Sequence, residues 1–72
     1  MPLSEKIATL RKRAGLSQEQ LSEALGVSRQ AVSKWESGGA MPELDKIVQL
    51  SRVLGVSTDA LLLNSVYTSD MV

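Results

Sequence analysis

Apolar residues along this chain recur at intervals of three and four, and each run is closed by glycine, serine or proline. Leu3, Ile7 and Leu10 take the i, i+4 and i+7 positions of one helical face, with Glu5, Lys6, Thr9, Arg11, Lys12 and Arg13 mostly elsewhere around it. That spacing predicts a first helix from Leu3 to about Arg13. Its closing cations suit the negative end of a helix dipole, and Gly15 supplies a left-handed stop. Ser17 and Gln20 fit a capping box, in which hydroxyl and amide side chains satisfy exposed backbone N–H groups reciprocally. A second helix therefore starts near Gln18, carries Leu21 and Leu25 as its stripe, and ends at Gly26. Only Val27 separates Gly26 from Ser28, another capping residue, and Ala31, Val32 and Trp35 then share one side of a third helix from about Arg29 to Ser37.

Paired glycines and a proline oppose helix geometry, so Gly38 to Pro42 predicts a loop. Leu44, Ile47, Val48 and Leu54 mark a fourth helix, with Leu50 off the main stripe, and Pro42, Glu43 and Asp45 stand at its positive start. Gly55 closes it, and Ser57 caps a short fifth helix carrying Ala60, Leu61 and Leu62. No strand alternation or long repeat is present. The expected fold is all-α, a compact five-helix bundle over residues 1–63 followed by a C-terminal tail over 64–72. A chain of 72 residues holds one small core, and with no cysteine or histidine its stability must come from helix packing or association.

The missing residue types also narrow the chemistry. Neither a Ser–His nor a Cys–His nucleophile pair can be assembled, and the common zinc frameworks are absent, so neither an enzyme nor a metal or other cofactor is expected. No small-molecule ligand is evident either. The longest aliphatic runs, such as Leu61 to Leu63, fall far short of the roughly 20 residues a bilayer crossing needs, and no basic-then-apolar leader opens the chain. A cytoplasmic location is the expectation. The net charge is zero, but residues 1–34 carry six basic and three acidic side chains, whereas residues 35–72 carry two basic and five acidic. One face of the molecule is thus expected to meet an anion.

At about 100° per residue, Arg29, Gln30, Ser33, Lys34 and Ser37 fall on the arc of the third helix opposite Ala31, Val32 and Trp35. That arc holds a guanidinium fork, an amide, hydroxyls and an ammonium, a set suited to base edges in the major groove. Three strings, Leu10 to Gln18, Leu25 to Gly38 and Leu54 to Ser57, resemble in order and spacing the phage repressor and Cro (XRE-type) helix-turn-helix family, and the likeness extends from about Leu3 to Leu63. The resemblance implies a lambda repressor-like domain whose second and third helices form the helix-turn-helix, and a regulator, a repressor by family expectation, that binds a specific double-stranded DNA operator. It implies base reading by Arg29, Gln30, Ser33 and Lys34, and phosphate contacts from Ser17, Gln18, Ser28, Lys12 and Ser37. By side-chain chemistry Arg29 favours guanine and Gln30 adenine. The same resemblance makes Arg11 and Glu36 a partly buried structural salt bridge. Two departures stand out: Gly39, Ala40 and Met41 occupy positions where many relatives carry cations, and the stretch Leu62, Leu63, Val66, Tyr67, Met71 and Val72 is apolar enough to suggest a homodimer through the fifth helix and the tail.

Plainer roles compete with these. Arg11 to Arg13 can serve only the helix dipole, Ser17 and Gln18 can simply cap, and Trp35 is expected in the core rather than stacked on bases. The small residues Ser22 and Gly26 suit a close helix crossing, and Gly26 also tolerates a positive φ that a β-branched residue would resist. A second functional class is a protein-interaction helical module, such as an antitoxin or developmental-switch component, whose third helix meets a protein.

Overall fold

The computed structural model describes residues 1–66, with side chains as far as Leu63. Five helices follow one another: α1 (Leu3–Arg13), α2 (Gln18–Leu25), α3 (Arg29–Ser37), α4 (Leu44–Leu54) and α5 (Thr58–Val66). No strand occurs among the described residues. α5 continues to Val66, three residues past the point at which the apolar pattern fades.

Every helix sends at least one side chain into a single core of Ile7, Leu21, Leu25, Val32, Trp35, Ile47, Leu50 and Leu61. Ile7, Leu21, Val32, Leu50 and Leu61 are fully enclosed, and each contributes about 1.5 to 3 kcal/mol of apolar burial against the entropy of ordering the chain. Trp35 lies in the core, as its place beside Ala31 on the inner arc implies. Leu50, off the main stripe in the sequence, is nevertheless wholly buried, because α4 is covered by both α2 and α5. α3 is held between α1 and α2, and α5 returns to pack on α1.

Three of the four connections use one device of three residues. Gly15, Gly26 and Gly55 take positive φ and stop a helix; Leu16, Val27 and Val56 turn inward onto the core; Ser17, Ser28 and Ser57 cap the helix that follows. In each, the N–H of the inward residue reaches back to a carbonyl of the helix just ended: Leu16 to Arg11 at 3.1 Å, Val27 to Ser22 at 3.0 Å and Val56 to Ser51 at 2.9 Å. Such bonds satisfy carbonyls that a terminating helix leaves orphaned. The capping box at Ser17 is complete, with the Gln20 N–H donating to Ser17 Oγ at 3.0 Å and the Ser17 N–H to Gln20 Oε1 at 2.8 Å.

The crossing of α2 and α3 corrects one expectation. Ser22 is buried there and donates to the Glu19 carbonyl, but a Cβ placed on Gly26 meets nothing within 4 Å. Gly26 is required by its φ of +71° and not by a close approach. Gly26→Ala should therefore lower stability by about 1 to 2 kcal/mol, the cost of a left-handed conformation for an L side chain, and Gly26→Asn by less. Urea unfolding of the two variants checks this; equal stability of Gly26→Ala and the parent contradicts it.

Candidate nucleic-acid interface

The site is built around the last turn of α3. Arg11, in the last turn of α1, donates from Nε to Glu36 Oε2 at 2.6 Å and from Nη2 to Glu36 Oε1 at 3.1 Å, a two-point fork on one carboxylate. Its remaining amino group donates from Nη1 to the Leu16 carbonyl at 2.8 Å. The two side chains are only 11% and 8% exposed, so the pair works in a partly desolvated setting. Gln18, the first residue of α2, adds a third partner, with Nε2 donating to Glu36 Oε1 at 3.0 Å. One carboxylate thus ties the end of α1 and the start of α2 to α3.

Burial pushes the Glu36 carboxyl up, but the hydrogen bonds from Arg11 and Gln18 and the positive charges of Arg11 and Lys12 outweigh it, leaving it below the ordinary carboxylate value. The Glu36 bond raises the Arg11 guanidinium, burial opposes that, and the carboxylate charge adds to the rise. The salt bridge expected from the resemblance is present, and Glu36 is neutralised inside the molecule.

The opposite edge of α3 is open. Arg29, Gln30, Ser33, Lys34 and Ser37 are all exposed, while Val32 and Trp35 on the inner arc are buried. Lys12, Ser17 and Ser28 are exposed as well, and Gln18 is half-buried. Ser17 and Ser28 each accept a backbone N–H through Oγ, which leaves their hydroxyl hydrogens able to donate to an anion. Ser37 differs, because its Oγ donates to the Lys34 carbonyl at 3.1 Å and a phosphate contact there must exchange that bond. Arg29 and Gln30 start α3, at the opposite end of the helix from Glu36.

Three contacts had no signal in the sequence. Gln18 bridges to Glu36, Lys46 of α4 donates from Nζ to the Leu25 carbonyl at 3.2 Å, and Lys6 of α1 donates to the Ala60 carbonyl at 2.5 Å. Each joins residues 18 to 54 positions apart, beyond the reach of local periodicity. The two lysines place a cation against carbonyls of neighbouring helices, at the end of α2 and in the first turns of α5. Among the described residues there is no cluster of three or more potential metal ligands, and no helix is long and apolar enough to cross a membrane.

Two short helices joined through Gly26, Val27 and Ser28, with the second pinned by its inner face and last turn, define a helix-turn-helix domain. The chain belongs to the helix-turn-helix family of the phage repressor and Cro (XRE) type, whose family model matches residues 7–61. It is 45% identical over 62 residues to the HTH-type transcriptional activator BcrR of Enterococcus faecalis, covering 86% of this chain and 30% of that protein. It is 43% identical over 58 residues to the prophage-derived HTH-type transcriptional regulator YonR of Bacillus subtilis strain 168, covering 81% of this chain and 54% of the relative. These relatives extend well beyond the matched part: the chain spans from under a third to about half of their length. Among solved structures, the P22 c2 repressor in complex with a synthetic operator superposes with a TM-score of 0.82 at 34% identity, covering 86% of this chain and 94% of that one. The biofilm regulator SinR in complex with DNA gives 0.77 at 31% identity, covering 83% and 97%.

Glu36→Gln tests the junction. A carboxyl whose folded value is depressed contributes stability above its unfolded value, near 4.3, and that contribution is lost as pH falls through the folded value. The substitution should cost about 2 to 3 kcal/mol at pH ~7, since it strips the charge partner from Arg11, and the gap to the parent should shrink once pH drops below about 4. Urea midpoints at the two pH values measure it; a gap that stays constant rules out the ion pair as its source.

Proposed function

We propose that this domain binds a specific double-stranded DNA operator as a transcriptional regulator, with repression the family expectation. One observation carries the reading: α3 is fixed by α1 and α2 while its outward edge is wholly polar and exposed. Arg29, Gln30, Ser33 and Lys34 read base edges in the major groove, the first two from the N-terminal turn. Lys12, Ser17, Gln18, Ser28 and Ser37 meet the phosphates, helped by the backbone amides that open α2 and α3. Gln18 can donate its second amide hydrogen while the first stays on Glu36. The P22 c2 and SinR complexes support the duplex-binding reading over the protein-interaction module. Binding calls for no cofactor and no catalysis, and places the protein in the cytoplasm with its DNA.

The domain is residues 1–63, and a homodimer through α5 and the tail presents two copies of α3 to half-sites roughly 34 Å apart. Leu63 is 47% exposed on α5. Of the other apolar residues invoked for that contact, the side chain of Val66 and all of Tyr67, Met71 and Val72 lie outside the described residues. Sedimentation at high concentration, with and without the operator, should show a dimer in at least one condition; a monomer in both removes this contact.

Selection of bound duplexes from a random pool, followed by titration, tests the main reading. With Lys12 the one cation assigned to phosphate, the predicted salt slope is roughly 0.9 per domain. Arg29→Ala should cost about 1 to 3 kcal/mol and relax the preference at one base pair, whereas Lys12→Ala should weaken all duplexes alike and reduce the slope by about 1. Absence of any sequence-selective duplex overturns the assignment.

A further inference from the structure

The two ends of α3 are held by different means. Its last turn is tied down by the Arg11–Glu36 fork, whereas Arg29 and Gln30 stand in the first turn, far from that fork. The first turn is joined to α2 through only three residues, Gly26, Val27 and Ser28, so the direction in which α2 ends bears directly on Arg29 and Gln30. Val27 packs on the core, and the Ser22 and Glu23 carbonyls accept the N–H groups of Val27 and Gly26 at 3.0 and 3.3 Å. The carbonyl of Leu25, the last residue of α2, is met from outside the motif, by Lys46 Nζ of α4 at 3.2 Å.

α2 also differs from its neighbours in charge. α1, α3 and α4 each carry a basic residue in the last turn, Arg11 to Arg13, Lys34 and Arg52 respectively, but α2 carries none. A helix end leaves orphaned carbonyls and partial negative charge. At α2 the compensating cation comes from α4, 21 positions further along the chain. The Lys46 side chain is only 24% exposed. Its other acceptor, the Asp45 carboxylate, is 4.0 Å away and well exposed, so the Leu25 carbonyl is the closer partner.

We propose that Lys46 is a positioning residue for DNA recognition, holding the end of α2 against α4 and so setting the direction in which Arg29 and Gln30 leave the turn. The inference rests on the duplex-binding reading above. An ammonium bonded to a carbonyl is a charge-assisted contact, stronger than a neutral one, and it acts on the residue immediately before Gly26. Base reading depends on placement, because hydrogen bonds to base edges weaken steeply once donor and acceptor are misaligned. Attraction to the phosphates is electrostatic and independent of sequence, and survives a small rotation of the first turn. Lys46 therefore governs selectivity among duplexes more than affinity for duplex in general.

The full chain is titrated by fluorescence anisotropy with two duplexes of about 20 base pairs, one of arbitrary sequence and one taken from the random-pool selection. Lys46→Met keeps the apolar stem and removes the charged donor. It should lower the ratio of selected to arbitrary affinity by about fivefold or more, the scale of one base contact, while binding to the arbitrary duplex and its salt slope stay unchanged. Lys46→Arg, which restores a charged donor, should recover the ratio. Repeating the selection with Lys46→Met should show preference lost at the base pairs that Arg29→Ala and Gln30→Ala relax and kept at the pair that Lys34→Ala relaxes. If Lys46→Met weakens both duplexes by the same factor, through loss of folded chain or through loss of a phosphate contact that lowers the slope by about 0.9, the proposal is overturned while the duplex-binding reading survives. An unchanged ratio, a ratio that Lys46→Arg fails to restore, or preference lost evenly at all three positions overturns it as well. A parent chain with no selective duplex defeats that reading and this inference together.

Discussion

The fork between Arg11 and Glu36 is the constraint on which the placement of α3 depends. α3 is nine residues long and buries Val32 and Trp35 deeply, between α1 and α2. Hydrophobic burial is non-directional, whereas a guanidinium gripping both carboxylate oxygens has a defined distance and plane. The bridge spans 25 positions of sequence and lies at the last turn of α3. Its value lies in geometry more than in net stability, since a buried pair gives back much of its Coulombic gain in lost solvation. It also removes a carboxylate from the charge balance of the helix that must approach phosphate.

The connections supply the second constraint. A positive-φ glycine, an inward apolar residue and a capping serine recur at three joints, so each helix ends, anchors and restarts within three residues. Short joints leave little freedom in the relation of one helix to the next, and the apolar residue at each joint makes the turn part of the core. α3 and α4 are joined differently, through the longer Gly38 to Glu43 stretch, which contains two glycines and a buried Pro42.

Charge is distributed to match. The chain is neutral as a whole, yet its first half holds most of the cations. Of these, Arg11 and Lys6 are consumed internally by Glu36 and by the Ala60 carbonyl, and the exposed remainder includes Lys12, Arg29 and Lys34. Cationic character toward a polyanion is therefore modest, and selectivity must come from shape and base contacts rather than bulk attraction.

Much of the fold was legible in the sequence because helix boundaries here are local events. The 3.6-residue period, the glycine stops and the serine caps act over four or five residues, and the helix limits at Leu3, Arg13, Gln18, Leu25, Arg29 and Ser37 agree with them. The outward edge of α3 was legible for the same reason, since residues on one arc of a helix follow from spacing alone. The Arg11–Glu36 pairing came from likeness to a family and not from periodicity. Other features required the folded chain: Gln18 as third partner of Glu36, Lys46 and Lys6 on distant carbonyls, Leu50 enclosed despite its place off the stripe, and the open space around Gly26 where a close crossing was expected. These depend on which helices become neighbours, and that is settled by the mutual burial of the whole core, a condition no local window of residues contains.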